Sequence, residues 1–139
     1  MAFADVPRLQ ASLSISSPNL TNDSLSLTST TQFKKAGTSV ALDQTSGVGR
    51  KTTTSVNVYT LFDGADYTVN KAHKVYIRNT STIDAEFVKV TMNAEDIGRL
   101  YAGDFLLMPY AASADTNDIK ITPSVSSTLT IEYAIFSEA

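Results

Sequence analysis

Apolar and polar side chains alternate most regularly over the closing stretch Thr128-Leu129-Thr130-Ile131-Glu132-Tyr133-Ala134-Ile135-Phe136. Period two sends successive side chains to opposite faces of an extended chain, so this segment predicts a strand with one dry and one wet face. The sheet is expected to take in the end of the chain. Shorter pieces upstream repeat the pattern: Val75-Tyr76-Ile77-Arg78, which stops at the polar turn Asn79-Thr80-Ser81-Thr82, and Glu86-Phe87-Val88-Lys89-Val90-Thr91-Met92, with Val88, Val90 and Met92 on one face. Ile119 and Ile121 alternate until Pro123. Phe105-Leu106-Leu107-Met108-Pro109-Tyr110 is an unbroken apolar run, short enough for an interior strand ended by its proline.

Other segments are less regular. Val56 and Val58 share one parity and Tyr59 and Leu61 the other, which predicts a strand buried on both faces or bulged near Asn57. Asp63-Gly64-Ala65 supplies a turn, Tyr67 and Val69 a short strand, and Ile97 to Tyr101 either one helical turn or a strand. Thr38 to Leu42 is a further strand candidate, and residues 44 to 51, with two glycines and little bulk, predict a mobile loop. Residues 1 to 32 form an arm of two short strands: Leu13 and Ile15, then Leu25 and Leu27, are set in Ser, Thr and Asn around a Pro18-Asn19 turn. Such an arm has little to bury by itself, so its leucines need a dry surface on the body or on a neighbouring subunit. Residues 33 to 139 are the body. Strands spaced by roughly ten residues, with no long helical pattern, predict an all-β fold, an antiparallel β-sandwich or jelly roll of about eight strands with an N-terminal extended arm.

Composition narrows the function classes. The 139 residues suit one ordinary domain, and Ser plus Thr at roughly a quarter, with 18% charged residues, suit pleated sheets and their turns. Cysteine is absent, which excludes a disulfide framework and thiolate metal ligation. No run of eighteen apolar residues occurs, and the opening Met1-Ala2-Phe3-Ala4-Asp5-Val6-Pro7-Arg8 lacks a basic stretch followed by an apolar one, so neither membrane insertion nor Sec export is expected. A net charge of −3 argues against nucleic acid as the main partner. The charge is uneven: residues 34 to 78 carry +4 and the remainder −7. Lys34, Lys35, Arg50 and Lys51 are the candidate contacts for an acidic partner, against the plainer reading that sheet edges need solubilising charge.

Candidate chemistry is sparse. Gly47-Val48-Gly49-Arg50-Lys51-Thr52 departs from a phosphate loop, because Arg50 separates glycine from lysine and a strand pattern follows. His73, the sole histidine, sits between Lys71 and Lys74 and is expected at the surface or rim; a base would need a nucleophile beside it. Asp63-Gly64-Ala65-Asp66 and Asp115-Thr116-Asn117-Asp118 read as turns, since neither continues into a calcium loop with its terminal glutamate. Glu95 and Asp96, being adjacent, point to opposite faces of a strand and make no acid/base pair. Tyr59, Tyr67, Tyr76, Tyr101, Tyr110 and Tyr133 either fill a sandwich core with their hydroxyls kept wet, or form a stacking platform for a carbohydrate or a nucleobase. No catalytic, cofactor-binding or metal site is expected.

Lys74-Val75-Tyr76-Ile77-Arg78-Asn79-Thr80-Ser81, then Ile97-Gly98-Arg99-Leu100-Tyr101-Ala102-Gly103-Asp104-Phe105 with Pro109 behind it, then Ile119-Lys120-Ile121 and Thr130-Ile131-Glu132-Tyr133-Ala134-Ile135-Phe136 resemble the virion structural proteins of tailed bacteriophages. Among these the pattern is most similar to capsid cement or decoration proteins. It spans roughly residues 56 to 136, and the arm has no counterpart in it. The resemblance implies a β-sandwich or jelly roll without enzymatic activity, made in the bacterial cytoplasm and located in the virion. Its partners would be itself, as a trimer, and the major capsid protein. The arm lies outside the resemblance, and its own pattern makes Leu13, Ile15, Leu25 and Leu27 the expected residues for subunit exchange or anchoring. The alternative is a tail or fibre module that binds a host glycan or another tail component.

Overall fold

The computed structural model describes residues 8–113 and 116–139, in two compact units that divide between Asp43 and Gln44. Asp115, in one of the predicted turns, lies outside the described residues.

The first unit is built on one hairpin, β1 (Gln10–Ser17) and β2 (Leu25–Gln32), paired antiparallel from Gln10↔Gln32 to Ser17↔Leu25. Leu9 closes its base by accepting from the Phe33 amide at 2.8 Å. The strand expected at Thr38 to Leu42 is reduced to one bridge, Lys34↔Ala41. The Lys35 amide reaches the Val40 carbonyl at 2.7 Å and Gly37 takes φ 70°, so a tight turn consumes the residues a strand would have used.

The second unit is a β-sandwich with a nested order. Its strands are β3 (Gln44–Thr45), β4 (Gly49–Thr53), β5 (Tyr59–Phe62), β6 (His73–Asn79), β7 (Phe87–Met92), β8 (Glu95–Tyr101), β9 (Phe105–Tyr110), β10 (Ile119–Pro123) and β11 (Leu129–Ser137). Four antiparallel pairs, β7 with β8, β6 with β9, β5 with β10 and β4 with β11, lie inside one another. The chain is thus a long two-ply ribbon whose tip is the turn Asn93-Ala94, both residues at positive φ (52° and 62°) as a two-residue hairpin requires. Rolled up, the ribbon gives two sheets, β5-β10-β7-β8 and β3/β4-β11-β6-β9, which is a jelly roll. The inner faces meet in one core: Val75, Ile77, Leu129, Ile131 and Ile135 from one sheet, Phe62, Val88, Val90, Leu100, Ile119 and Ile121 from the other. Each fully buried isoleucine or leucine contributes roughly 2–3 kcal/mol by leaving water.

Several expectations are corrected here. The predicted strand through Val56 and Val58 is broken, because β4 pairs with β11 and β5 with β10, and the chain crosses between sheets at residues 54 to 58. Both valines are exposed. The predicted mobile loop at 44 to 51 is instead edge strand: β3 and β4 both pair with β11, with Gly47 at φ 71° as the kink between them. Tyr67 and Val69 form no strand. Tyr67 follows a 3₁₀ turn at Gly64–Asp66 and finds its burial against Tyr110 and His73 without sheet pairing. Ile97 to Tyr101 is strand, within β8. β9 is an edge strand rather than an interior one, which is where a proline lacking its N–H is tolerated.

Asn79 ties the sheets at one end. Fully buried, it donates from Nδ2 to the carbonyls of Leu100 (2.9 Å) and Glu86 (3.3 Å), and its Oδ1 accepts from the Ser81 amide at 2.9 Å. The Glu86 carboxylate, also buried, accepts from Ser81 Oγ at 2.5 Å.

Candidate functional site

The hairpin separates two chemistries by parity alone. Ala11, Leu13 and Ile15 of β1 share a face with Leu25 and Leu27 of β2, Ile15 lying directly opposite Leu27. The other face is Gln10, Ser12, Ser14 and Ser16 against Gln32, Thr30, Thr28 and Ser26, with Ser12 and Thr30 hydroxyls 3.2 Å apart. From Leu9 to Phe33 the only charged residue is Asp23, in the connecting turn. The structure thus brings Leu13, Ile15, Leu25 and Leu27 onto one stripe. Leu13 is 40% exposed and Ile15 and Leu27 are each 47% exposed. A two-stranded ribbon with an open apolar face is marginal in water by itself, so this stripe is the feature of the first unit that asks for a partner.

The four candidate cations divide between the two units, Lys34 and Lys35 in the first and Arg50 and Lys51 in the second. Lys35 Nζ pairs with Asp43 Oδ2 at 2.7 Å, and Lys34 is exposed beside it at the bridge to Ala41. On β4, Arg50 lies opposite Glu132 and its Nη2 is 3.4 Å from the carboxylate, whose other oxygen accepts from the Tyr76 hydroxyl at 3.1 Å. Lys51, the next residue, turns to the opposite face and sits 5.3 Å from the Tyr59 ring centroid. Arg50 and Lys51 therefore serve different faces of one strand.

A cluster the sequence reading missed lies on the outer face of the β5-β10-β7-β8 sheet. The register places Tyr101 opposite Phe87, Arg99 opposite Lys89, Lys89 opposite Thr122 and Thr91 opposite Lys120. The Phe87 and Tyr101 rings are 5.1 Å apart, and the Arg99 guanidinium stacks 4.4 Å from the Phe87 centroid with Nη1 3.4 Å from the Tyr101 hydroxyl. Lys89 Nζ pairs with Asp96 at 3.7 Å. Among the described residues no carboxylate lies within ion-pair distance of Arg99 or Lys120. The signal was legible once the tip turn is placed at Asn93-Ala94, because a two-residue turn fixes which side chains of β7 and β8 face each other.

The aromatic platform does not form. Tyr110 is buried, Tyr59, Tyr67 and Tyr133 pack against the core, and Tyr76 is half-buried. Among the tyrosines only Tyr101 is an exposed large side chain. Burial pushes the Tyr110 hydroxyl up to about 12, with Asp118 adding to the effect, and burial followed by Asp66 and Asp63 raises Tyr67. His73 corrects the surface expectation: it is 1% exposed. The imidazole Nε2 is 2.7 Å from the Thr68 carbonyl and, among the described residues, Nδ1 has no hydrogen-bond partner, so none of them brings a hydroxyl or carboxylate into reach as a nucleophile or orienting group. The alternation β6 imposes explains its burial, since His73, Val75 and Ile77 share the inward parity.

Open depressions also mark the surface. One of about 390 Å³ is lined by Thr91, Asn93, Ala94, Thr116, Asn117, Asp118 and Lys120, at the end of the outer face that bears Arg99. Another of about 320 Å³ lies at Asn70, Lys71, His73, Lys74, Met92 and Tyr110. Among the described residues no group of three or more His, Asp or Glu is placed to hold a metal ion, and no helix is long and apolar enough to cross a membrane.

No protein-family model matches the chain, and no curated protein matches it. Among solved structures it is similar to a mitogen derived from Yersinia pseudotuberculosis, at 11% identity over 68% of this chain and 86% of that one, with a TM-score of 0.47.

Proposed function

We propose that the chain is a non-enzymatic structural component of a tailed-phage particle, a capsid cement or decoration protein that docks as a symmetric oligomer on the major capsid protein. The observation that carries this reading is the hairpin: an apolar stripe in which Leu13, Ile15 and Leu27 are open to water and Leu25 is half-buried, in a segment with one charge between Leu9 and Phe33. Such a stripe serves a chain that gains its dry surface from another copy or from a shell. The jelly-roll body adds a rigid scaffold of a kind that viral capsids use among many others, which is compatible with the reading without selecting it. Mechanistically, each copy contributes a weak contact and symmetry multiplies it, so occupancy rises far beyond the affinity of one arm.

The test is solution mass by light scattering, followed by co-sedimentation with purified phage heads. The full chain is expected as an oligomer that pellets with heads. Replacing Leu13, Ile15 and Leu27 together by Ser, or deleting residues 1 to 30, is expected to reduce head binding by about tenfold or more while the body still unfolds cooperatively. Unchanged binding by the truncated chain defeats the arm's role. A full-length monomer that ignores heads defeats the whole reading.

A further inference from the structure

We propose that the outer face of β8, β7 and β10 binds an acidic polysaccharide, a use that stands apart from the assembly reading above. Three cations lie on adjacent strands of this face: Arg99 on β8, Lys89 on β7 and Lys120 on β10. Asp96 partners Lys89, but Arg99 and Lys120 have no ion-pair partner among the described residues. Arg99 is held by rings instead of by an acid. The position 4.4 Å over the Phe87 ring and the contact with the Tyr101 hydroxyl locate the guanidinium on this face without an acid to compensate its charge among the described residues. Its remaining N–H donors can take a carboxylate or sulfate in the two-point geometry that guanidinium favours.

Geometry extends the site beyond one anion. Lys120 lies two strands and two residues away from Arg99, roughly 12 Å along the face by strand spacing and rise. Beyond Thr91, between Asn93 and Lys120, opens the 390 Å³ depression whose walls are hydroxyl, amide and carboxylate groups from Thr91, Asn93, Thr116, Asn117 and Asp118. Asp118 Oδ1 accepts from the Gly64 amide at 2.8 Å, which holds this carboxylate in place at the wall of the depression. A polyhydroxylated chain with anions at intervals matches this sequence of features: an anion at Arg99 beside the exposed edge of Tyr101, hydroxyls over Thr91 and Thr122, and a second anion at Lys120. An acidic protein surface fits less well, because the face lacks the apolar centre that a protein interface of standard area carries. Nucleic acid fits less well, because its bases need open ring faces to stack on, whereas Phe87 is covered by Arg99 and packed against Tyr101.

The experiment is titration of the full chain with size-defined oligosaccharides, one sulfated (heparin-derived) and one carboxylated (oligogalacturonate), read by calorimetry and by amide chemical shifts. The expected result is binding of at least one of the two, with shifts concentrated at Lys89, Thr91, Arg99, Tyr101 and Lys120. R99Q and K120A are each expected to weaken it by about five- to tenfold, while R78Q, at an exposed cation of β6 on the other sheet, leaves it unchanged. K120A shortens a half-buried side chain on another strand and keeps the test valid if R99Q disturbs the β7–β8 hairpin; thermal melting reports which has happened. Absence of binding by both probes overturns the proposal. So do affinities that R99Q and K120A leave untouched, equal binding of neutral dextran fragments, or stronger binding of polyglutamate or single-stranded DNA of matched charge.

Discussion

At Gly64 an added methyl group has nowhere to go: its carbon would lie 2.2 Å from the Ser113 carbonyl oxygen and 2.8 Å from that of Thr116. Both obstacles are backbone, so G64A is expected to destabilise the body by about 2–3 kcal/mol or more, whereas G98A, with nothing within 4 Å, costs less than about 1 kcal/mol. Urea midpoints of the two variants check the contrast. Asn79 sets a second residue-scale test. N79A strands the Leu100 and Glu86 carbonyls and the Ser81 amide in a dry site, which is expected to lower stability by about 2–4 kcal/mol. The tyrosines fix behaviour in alkali. Because folding raises the Tyr110 pKa from 10.0 to about 12, the folded state holds its proton more tightly than the unfolded chain does. That share of stability is whole below pH 10 and declines as pH climbs from 10 through 12. Y110F is expected to flatten this decline while losing the hydrogen bond to the Asn117 carbonyl (2.9 Å), about 1 kcal/mol at neutral pH. Denaturant melts at pH 8 and pH 11 separate the two effects.

At the scale of elements, what the sequence revealed follows from how each strand is buried. β6, β7, β10 and β11 keep one dry and one wet face, and period two marked all four. β9 misled because an edge strand beside a half-covered face can be apolar at every position; Phe105 and Leu107 remain exposed there. The 44 to 61 region misled for the opposite reason, since short polar strands are held by partnership with β11 rather than by their own apolar content. The apolar stripe of the hairpin could be read from spacing, but the cationic face could not, because Lys89, Arg99 and Lys120 come from three strands and meet only through register. His73 was misplaced because its lysine neighbours outweighed parity in the reading, although parity governs the inside of a sheet. Ile131 in the middle of β11 offers the element-scale prediction: I131A, at a site with no exposure, is expected to cost about 2–5 kcal/mol, several times the loss from V58A in the exposed crossing segment. Thermal melting of both variants decides it.

At the scale of the molecule the two units divide labour by composition. Residues 44–139 contain the whole of the clustered apolar core, whereas the described part of the first unit is rich in hydroxyls and its hairpin carries an open stripe. A chain cut to residues 44–139 is therefore expected to retain a cooperative transition and dispersed amide spectra. Loss of that transition would show that the body needs the first unit to fold.

The nested ribbon has a consequence for biosynthesis. β11 is the central member of its sheet, bonded to β3 and β4 on one side and β6 on the other, yet it is built from residues 129–137. While those residues are still inside the ribosome, the β6–β9 pair has no bridge to residues 44–53, and the core lacks Leu129, Ile131 and Ile135. The body can therefore close only after residues 129–137 have emerged, and a chain cut just before Leu129 is expected to lack the cooperative transition of the full body, as thermal melting would show.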